Sequence, residues 1–315
     1  MINFTNRSPS VSVVMPVYNG NRYLAEAMQS ILYQTFLDFE LVIVDDGSTD
    51  QSIEIIHSFK DKRIVLLKNS RNLGNYPSRN IGMELARGRY ICVMDADDVA
   101  MPLRLERQYH YMERNPEIGI CGSFIQNIPS GSCPRFVTDE KLLKVTFLSN
   151  NYCSHPSLIL RKKFLEKYQL SYNEEYVYSA DFDLCARGFR HFKIRNIPEI
   201  LLQYRRHADQ ISTAKFATQQ MYADQIRIKQ LIENLGFVAD EIPYSLHLRL
   251  MKRENLEPEL SSLLNAWIEK LIAKNSVSHY YDEILLKHFL TSLIKDCLSE
   301  SVTGNIEKPI APAVR

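Results

Sequence analysis

The sequence predicts an α/β fold: a mostly parallel sheet with helices on both faces, followed by a C-terminal helical appendage. Three observations carry this expectation. In the first 125 residues short β-rich apolar runs alternate with amphipathic helical patterns, the order that builds parallel βαβ units. Those runs end in polar or turn-forming residues, as strand ends that line a crevice do. Beyond Thr213 only two glycines remain, Gly236 and Gly304, and helical periodicity takes over.

The elements follow in order. Val11-Ser12-Val13-Val14-Met15-Pro16 reads as a buried strand. From about Arg22 to Tyr33, Leu24, Ala27, Met28, Ile31 and Leu32 recur at i, i+3, i+4, i+7 and i+8, an amphipathic helix. Phe39 to Asp45 is the second strand, and Ser48 or Asp50 can cap a helix carrying Ile53, Ile56 and Phe59. Ile64 to Leu67 makes a third strand, and Ser78 to Ala86 a helix that Gly88 ends before the fourth strand, Tyr90 to Met94. A Pro/Ser/Gly-rich stretch, Ile128 to Pro134, reads as a surface loop, and Lys141 to His207 is mixed. Leu260, Leu263, Leu264, Trp267 and Leu271 form one apolar stripe; Leu286, Phe289, Leu290, Leu293 and Cys297 form another. Such stripes pack on each other or on the main domain, or else dock a partner or membrane. The expected domains are therefore 1–215 and 216–315, with Gly304 to Arg315 a frayed tail.

Composition removes several function classes. The chain has 315 residues, 45% of them hydrophobic, enough to bury a sizeable core. Lys plus Arg (38) nearly equals Asp plus Glu (37), which argues against a nucleic-acid partner. The six cysteines form no CxxC pair and read as reduced, mostly buried thiols of a cytoplasmic protein, Cys92 and Cys121 lying in apolar runs. Met1 to Pro9 lacks the apolar core of a signal peptide, and no run of about 18 apolar residues could span a bilayer. A peripheral membrane contact stays open, and composition says nothing about oligomeric state.

Three strands end in polar turns, Pro16-Val17-Tyr18-Asn19, Asp45-Asp46-Gly47-Ser48 and Asp95-Ala96-Asp97-Asp98, which would converge on one crevice. Asp95-Ala96-Asp97, with Asp98 next, bunches carboxylates that repel one another unless a cation or ordered donors neutralise them. A hard divalent ion such as Mg²⁺ fits, since it takes one or two carboxylates plus phosphate oxygens. The alternative is a capping cluster, with Asp98 or a neighbour capping a helix from Pro102. Asp46, in Asp45-Asp46-Gly47-Ser48-Thr49-Asp50, either serves ordinary turn chemistry or accepts a hydrogen bond from a nucleobase N–H. Arg79, in Ser78-Arg79-Asn80, either approaches a base or phosphate or pairs with a surface carboxylate.

Taken together these turns resemble a known family. Val11 to Gly20, Gln34-Thr35-Phe36, Leu41 to Asp50, Asn72-Leu73-Gly74, Ser78-Arg79-Asn80, Gly88-Arg89-Tyr90 and Asp95-Ala96-Asp97-Asp98 resemble, in order, the opening of family 2 glycosyltransferases. The resemblance runs from about Val11 to about Ile120 without a large gap. It implies a GT-A fold, a nucleotide-diphosphate sugar donor, a divalent metal (Mg²⁺ or Mn²⁺) and hexosyltransferase activity. It assigns Asp95 to the ribose or metal and Asp97 to the metal on the diphosphate. Pro16, Val17, Tyr18 and Asp46 match its nucleotide-contacting positions, and Arg79 is placed with them.

The second half supplies the expected catalytic group. Ser179-Ala180-Asp181-Phe182-Asp183-Leu184 is similar to the family's motif in which Glu-Asp precedes an aromatic residue, Asp and Leu. Ala180 replaces the usual Glu, and the Asp assigned as general base is kept as Asp181. Gln203 to Ser212 resembles the family's Tyr-Arg-x-His element, which sets His207 near the metal or diphosphate, or leaves it packed locally. His155-Pro156-Ser157 falls in the acceptor-side region of relatives. Six Lys/Arg between Arg187 and His207, against one acid, Glu199, suit a diphosphate or acidic lipid headgroups, or make a solvated face.

The implied reaction is an inverting displacement at the anomeric carbon by an acceptor hydroxyl, in surface glycan or polysaccharide assembly, with UDP favoured in the donor and a glycan or lipid-linked acceptor. Rival readings are a non-catalytic nucleotide-sugar-binding subunit, which only Ala180 encourages, and a sugar nucleotidyltransferase, whose Gly-rich loop is replaced here by Pro16-Val17-Tyr18-Asn19. A processive polysaccharide synthase is disfavoured because no Gln-x-x-Arg-Trp element occurs; Trp267 is the sole tryptophan.

Overall fold

The computed structural model describes residues 8–134, 136–207 and 210–298. Most of Met1 to Pro9 and the whole Gly304–Arg315 tail lie outside the described residues. The chain divides into two compact units, Met1–Pro134 with Cys153–Lys215, and Arg135–Tyr152 with Phe216–Arg315. The segment 135–152, which the sequence groups with the first domain, thus belongs to the second unit.

In the first unit β1 (Val11–Val17), α1 (Leu24–Leu32), β2 (Phe39–Asp45), α2 (Ser52–Ser58), β3 (Ile64–Lys68), α3 (Asn75–Leu85) and β4 (Tyr90–Val93) give the expected alternation. Then come β5 (Val99–Ala100), α4 (Arg104–Arg114) and β6 (Ile118–Ile128). α5 (Glu140–Thr146) lies in the second unit. The chain returns to the first with β7 (Ile159–Arg161), α6 (Lys162–Lys167), α7 (Ala180–Gly188), β8 (Lys193–Arg205) and α8 (Ile211–Ala214).

The strands form one sheet in the order β3-β2-β1-β4-β7-β6-β8-β5. β3, β2, β1 and β4 are mutually parallel, as are β6 and β8, while β7 and β5 run antiparallel to their neighbours. Helices on both faces explain why β1 and β2 read as continuous apolar runs: Val11, Val13, Val14, Met15, Leu41, Val42 and Ile43 are all fully buried. α3 approaches β1 and β2 closely through Gly82, where a Cβ would sit 2.5 Å from a Val14 methyl and 3.2 Å from one of Val44.

Pro16 is tolerated in a central strand because of where it sits. The β1–β4 ladder stops at Val14–Val93, so on that side Pro16 lies past the last pair, where the sheet opens. α3 begins at Asn75, three residues before the sequence places it, with Pro77 in its first turn, where a missing N–H costs nothing. α4 starts at Arg104 and its end residue Leu103 has no side-chain cap, so Asp98 is not the cap of this helix.

The second unit consists of α5, α9 (Phe216–Leu235), α10 (Tyr244–Met251), α11 (Ser261–Ser278) and α12 (Glu283–Leu298). Both apolar stripes feed its core: Leu264, Trp267 and Leu271 join Leu286, Phe289, Leu290, Leu293 and Cys297, with Val145 and Leu148 from the 135–152 segment. Leu263 departs from the expected stripe and is exposed. His247 is fully buried in this unit and accepts the Trp267 indole N–H at Nδ1 (3.2 Å). Burial, then the Arg227 charge, pushes the His247 imidazole down to about 3.

Candidate active site

The carboxyl ends of β1, β2 and β4 deliver the three polar turns to one rim of the sheet. The first two turns are stitched together. Asn19 donates its backbone N–H to Ser48 Oγ (3.0 Å) and accepts Thr49 N–H at its side-chain oxygen (2.8 Å). Gly20 and Asn21 donate to Ser52 Oγ and Asp50 (2.9 and 3.0 Å). Gly47 turns at φ 75°, and a Cβ there would lie 2.8 Å from the Arg71 backbone, so only glycine lets the 69–74 loop close over this turn. Tyr18 is half exposed and Pro16 partly so, whereas the Val17 side chain is buried and offers the rim only backbone.

Asp46 is 3% exposed and richly bonded. Its carboxylate accepts Asn69 Nδ2 (2.9 Å) and the backbone N–H groups of Leu73 and Gly74 (both 2.8 Å), while its own N–H donates to Val17 O (2.7 Å). Asp46 therefore fixes the 69–74 loop against the end of β1 and leads directly into α3.

α3 carries the next links on successive turns. Arg79 is fully buried and donates through Nη2 to Asp95 Oδ1 (2.5 Å) and to Asn75 Oδ1 (3.1 Å). Of the two sequence readings, pairing with a carboxylate is the one observed, and that carboxylate is Asp95. Three residues earlier, Tyr76 donates its hydroxyl to Asp181 Oδ1 (2.8 Å). Asp181 lies in the first turn of α7, where the helix dipole favours an anion. Burial, reinforced by the Asp181 charge, holds the Tyr76 phenol well above its ordinary value, so it stays a proton donor.

Asp95, Asp97 and Asp98 form the opposite side of the rim. Each offers a carboxylate oxygen, and the three lie within 4.8 Å of one another. His207 Nε2 lies 2.9 Å from Asp97 Oδ2, and Arg205 donates its N–H to Asp98 Oδ1 (2.8 Å) and its Nε to Asp97 O (2.8 Å). Burial and then the Asp95 charge push the Asp97 carboxyl up, against the pull of His207. Burial and then the charges of Asp95 and Asp97 push Asp98 up further. Among the described residues Asp98 Oδ2 and His207 Nδ1 are buried without a hydrogen-bond partner. Crowded, under-neutralised oxygens with one imidazole beside them are a donor set that suits Mg²⁺ or Mn²⁺.

Two arginines of the basic stretch are engaged by carboxylates. Arg187 pairs with Asp183 (2.7 Å), and Arg205 with Glu26 (2.6 Å) besides its contacts to Asp97 and Asp98. The element after His207 continues through Ala208 and Asp209, which lie outside the described residues.

The profile of glycosyl transferase family 2 matches residues 12–169, half of the chain. The chain belongs to that family. It is 41% identical over 207 residues to an uncharacterized glycosyltransferase of Methanocaldococcus jannaschii, covering 62% of this chain and 71% of the relative. It is 28% identical over 234 residues to the UDP-Glc:alpha-D-GlcNAc-diphosphoundecaprenol beta-1,3-glucosyltransferase WfaP of Escherichia coli, covering 73% and 88%. S. aureus TarS 1-349 in complex with UDP-GlcNAc superposes with a TM-score of 0.60 at 16% identity, over 93% of each chain. The mannosyltransferase PcManGT of Pyrobaculum calidifontis, in complex with GDP-Man and Mn²⁺, superposes with a TM-score of 0.57 at 14% identity, over 92% and 86%. At these identities the two structures share the fold, the GT-A arrangement expected from the sequence.

In this family 2 glycosyltransferase, sequence reasoning missed Asn69, Tyr76 and Asn75, which hold Asp46, Asp181 and Arg79. A helix begun at Asn75 would have exposed the signal, because Tyr76 and Arg79 are then three apart on one face. Among the described residues no helix is long and apolar enough to cross a membrane.

Proposed function

We propose that the chain transfers a hexose from a nucleoside-diphosphate donor, a UDP-sugar, to an acceptor hydroxyl with inversion, in the assembly of a surface glycan or polysaccharide. The observation that carries this is the Asp95–Asp97–Asp98 cluster at the carboxyl end of β4, joined through Arg79 and α3 to Asp46 on one side and Asp181 on the other. The names of the Escherichia coli relative and of the TarS complex support uridine in the donor. The first supports a lipid-linked glycan as acceptor.

In this reading Tyr18 stacks on the base, and Pro16 and the backbone of Val17 form the pocket wall. Asp46 acts from beneath by holding the 69–74 loop, and Asp95, fixed by Arg79, meets the ribose. Asp95, Asp97 and His207 hold Mg²⁺ or Mn²⁺. Bound there, the ion supplies charge to offset that gathering on the departing diphosphate. Asp181 accepts the proton of the acceptor hydroxyl as its oxygen attacks the anomeric carbon. The bond from that carbon to the diphosphate oxygen breaks, and the nucleoside diphosphate leaves from the opposite side. The first unit, Met1–Pro134 with Cys153–Lys215, is assigned the chemistry and the second a supporting helical role. The reaction is placed in the cytoplasm at the inner membrane face, and the six reduced thiols support that compartment.

A thermal-shift screen of UDP-, GDP- and dTDP-sugars with Mg²⁺ or Mn²⁺ tests the donor. A UDP-sugar is expected to raise the melting temperature only when a divalent ion is present. Stabilisation by GDP- or dTDP-sugars alone would overturn the choice of uridine, and no metal-dependent shift with any donor would overturn the site.

A further inference from the structure

We infer that Tyr76 is a positioning residue for transfer: its hydroxyl orients the Asp181 carboxylate. This rests on the reading of Asp181 as the base. The position that usually supplies an acidic neighbour is Ala180, fully buried here, so no charge can stand there without entering the core. The polar neighbour comes instead from a different element, α3. Tyr76 is 5% exposed, and its hydroxyl lies 2.8 Å from Asp181 Oδ1, within ordinary hydrogen-bond length.

The tyrosine ring is held on several sides, which fixes the position of its hydroxyl oxygen. Tyr172 stacks on it with centroids 5.1 Å apart, and His155 meets it edge-on at 6.0 Å. His155 Nε2 and the Tyr172 hydroxyl are 2.9 Å apart. Asn80, one turn beyond Tyr76 on α3, clamps the Tyr172 backbone by donating to its carbonyl (2.9 Å) and accepting its N–H (3.0 Å). Burial, then the Arg79 charge, pushes His155 down to about 4, so at neutral pH its imidazole carries no charge toward Asp181. Among the described residues, the other charged or titratable groups facing this network include Arg79 and Asp95 from the rim, Tyr172, Cys153, and Cys185 and Arg187 on α7 itself. α3 therefore positions both ends of the reaction: Arg79 sets the carboxylate that meets the donor, and Tyr76 sets the carboxylate that meets the acceptor.

A hydrogen bond donated to a carboxylate favours its charged form. Tyr76→Phe keeps the ring and its stacking and removes only the donor. The direct measurement is the pH titration of the Asp181 carboxyl ¹³C resonance, assigned by its loss in Asp181→Asn. In Tyr76→Phe the midpoint should move to higher pH by roughly half to one unit, the size of one such bond. The other aspartate resonances should stay in place, which reports the fold independently. With the UDP-sugar that turns over, kcat should fall about tenfold with donor KM unchanged, and its acid limb should move up in parallel. In the Asp181→Asn background Tyr76→Phe should add nothing. An unmoved ¹³C midpoint would overturn the inference. Full transfer by Asp181→Asn would overturn the base reading while leaving the titration result standing.

Discussion

Two carboxylate groups stand at strand ends along the rim, and the structure treats them oppositely. Asp46, at the end of β2, receives three hydrogen bonds from Asn69, Leu73 and Gly74. Asp97 and Asp98, beyond β4, are crowded by Asp95 and pushed toward protonation, with Asp98 Oδ2 left without a partner. A buried carboxylate given three donors is held in place before any ligand arrives. A cluster of carboxylates short of positive charge stores unfavourable energy that a cation and its phosphates relieve. The same residue type, a few ångströms of chain past a strand end, serves two ends according to its donors.

The largest expected break in this contrast is Asp97→Ala. Calorimetry with UDP should show the Mn²⁺-dependent part of the affinity lost, about 100-fold or near 3 kcal/mol. Equal affinity in variant and wild type would remove Asp97 from the cation site. Next is Asp46→Ala, which strands three donors and should lower unfolding stability by about 2–3 kcal/mol in urea melts. If that variant unfolds like the wild type, Asp46 is not holding the 69–74 loop. Tyr18→Ala should weaken UDP by roughly tenfold, the loss of one base–aromatic stack. Unchanged binding would move the base elsewhere.

Asp98→Asn sharpens the comparison further, since it keeps the oxygen that accepts the Arg205 N–H and deletes a buried charge. Metal-free protein should gain about 1 kcal/mol, while the stabilisation by Mn²⁺ shrinks. Loss of stability without metal would mean that Asp98 is satisfied after all, like Asp46. The second unit supplies a contrast that only pH reveals. His247 is buried neutral, so the unfolded chain takes up a proton below about pH 6.5 that the folded chain refuses until about pH 3. Its share of stability is complete above pH 6.5 and declines as pH falls, by up to about 1.4 kcal/mol per unit. Urea melts of His247→Gln across this range should show a slope shallower by about that amount, and an unchanged slope would contradict it.

Much of the fold was legible because its signals are local. The apolar runs of β1 to β4, the stripe of α1 and the stripes of α11 and α12 each report a face that must be buried, whatever covers it. The antiparallel strands β7 and β5 were not legible, since three- and two-residue strands carry too little pattern to be read without their partners. The 135–152 segment was misplaced for a related reason. Val145 and Leu148 announce that they are buried, but not that their neighbours come from α9 to α12.

The candidate site divides along the same line. By itself the sequence determined which carboxylates stand at strand ends, because turn residues after apolar runs mark the place where an α/β sheet opens. It also determined the family, because seven short motifs occur in order. Only the tertiary structure decided what each carboxylate does there. Asp46 and Asp98 have the same side chain, and their donors come from residues 23 to 107 positions away. The partnership of Tyr76 with Asp181 spans 105 positions and requires α3 to be laid across β1 and β2 first. Charge compensation depends on distance in space, and no short window of sequence contains it.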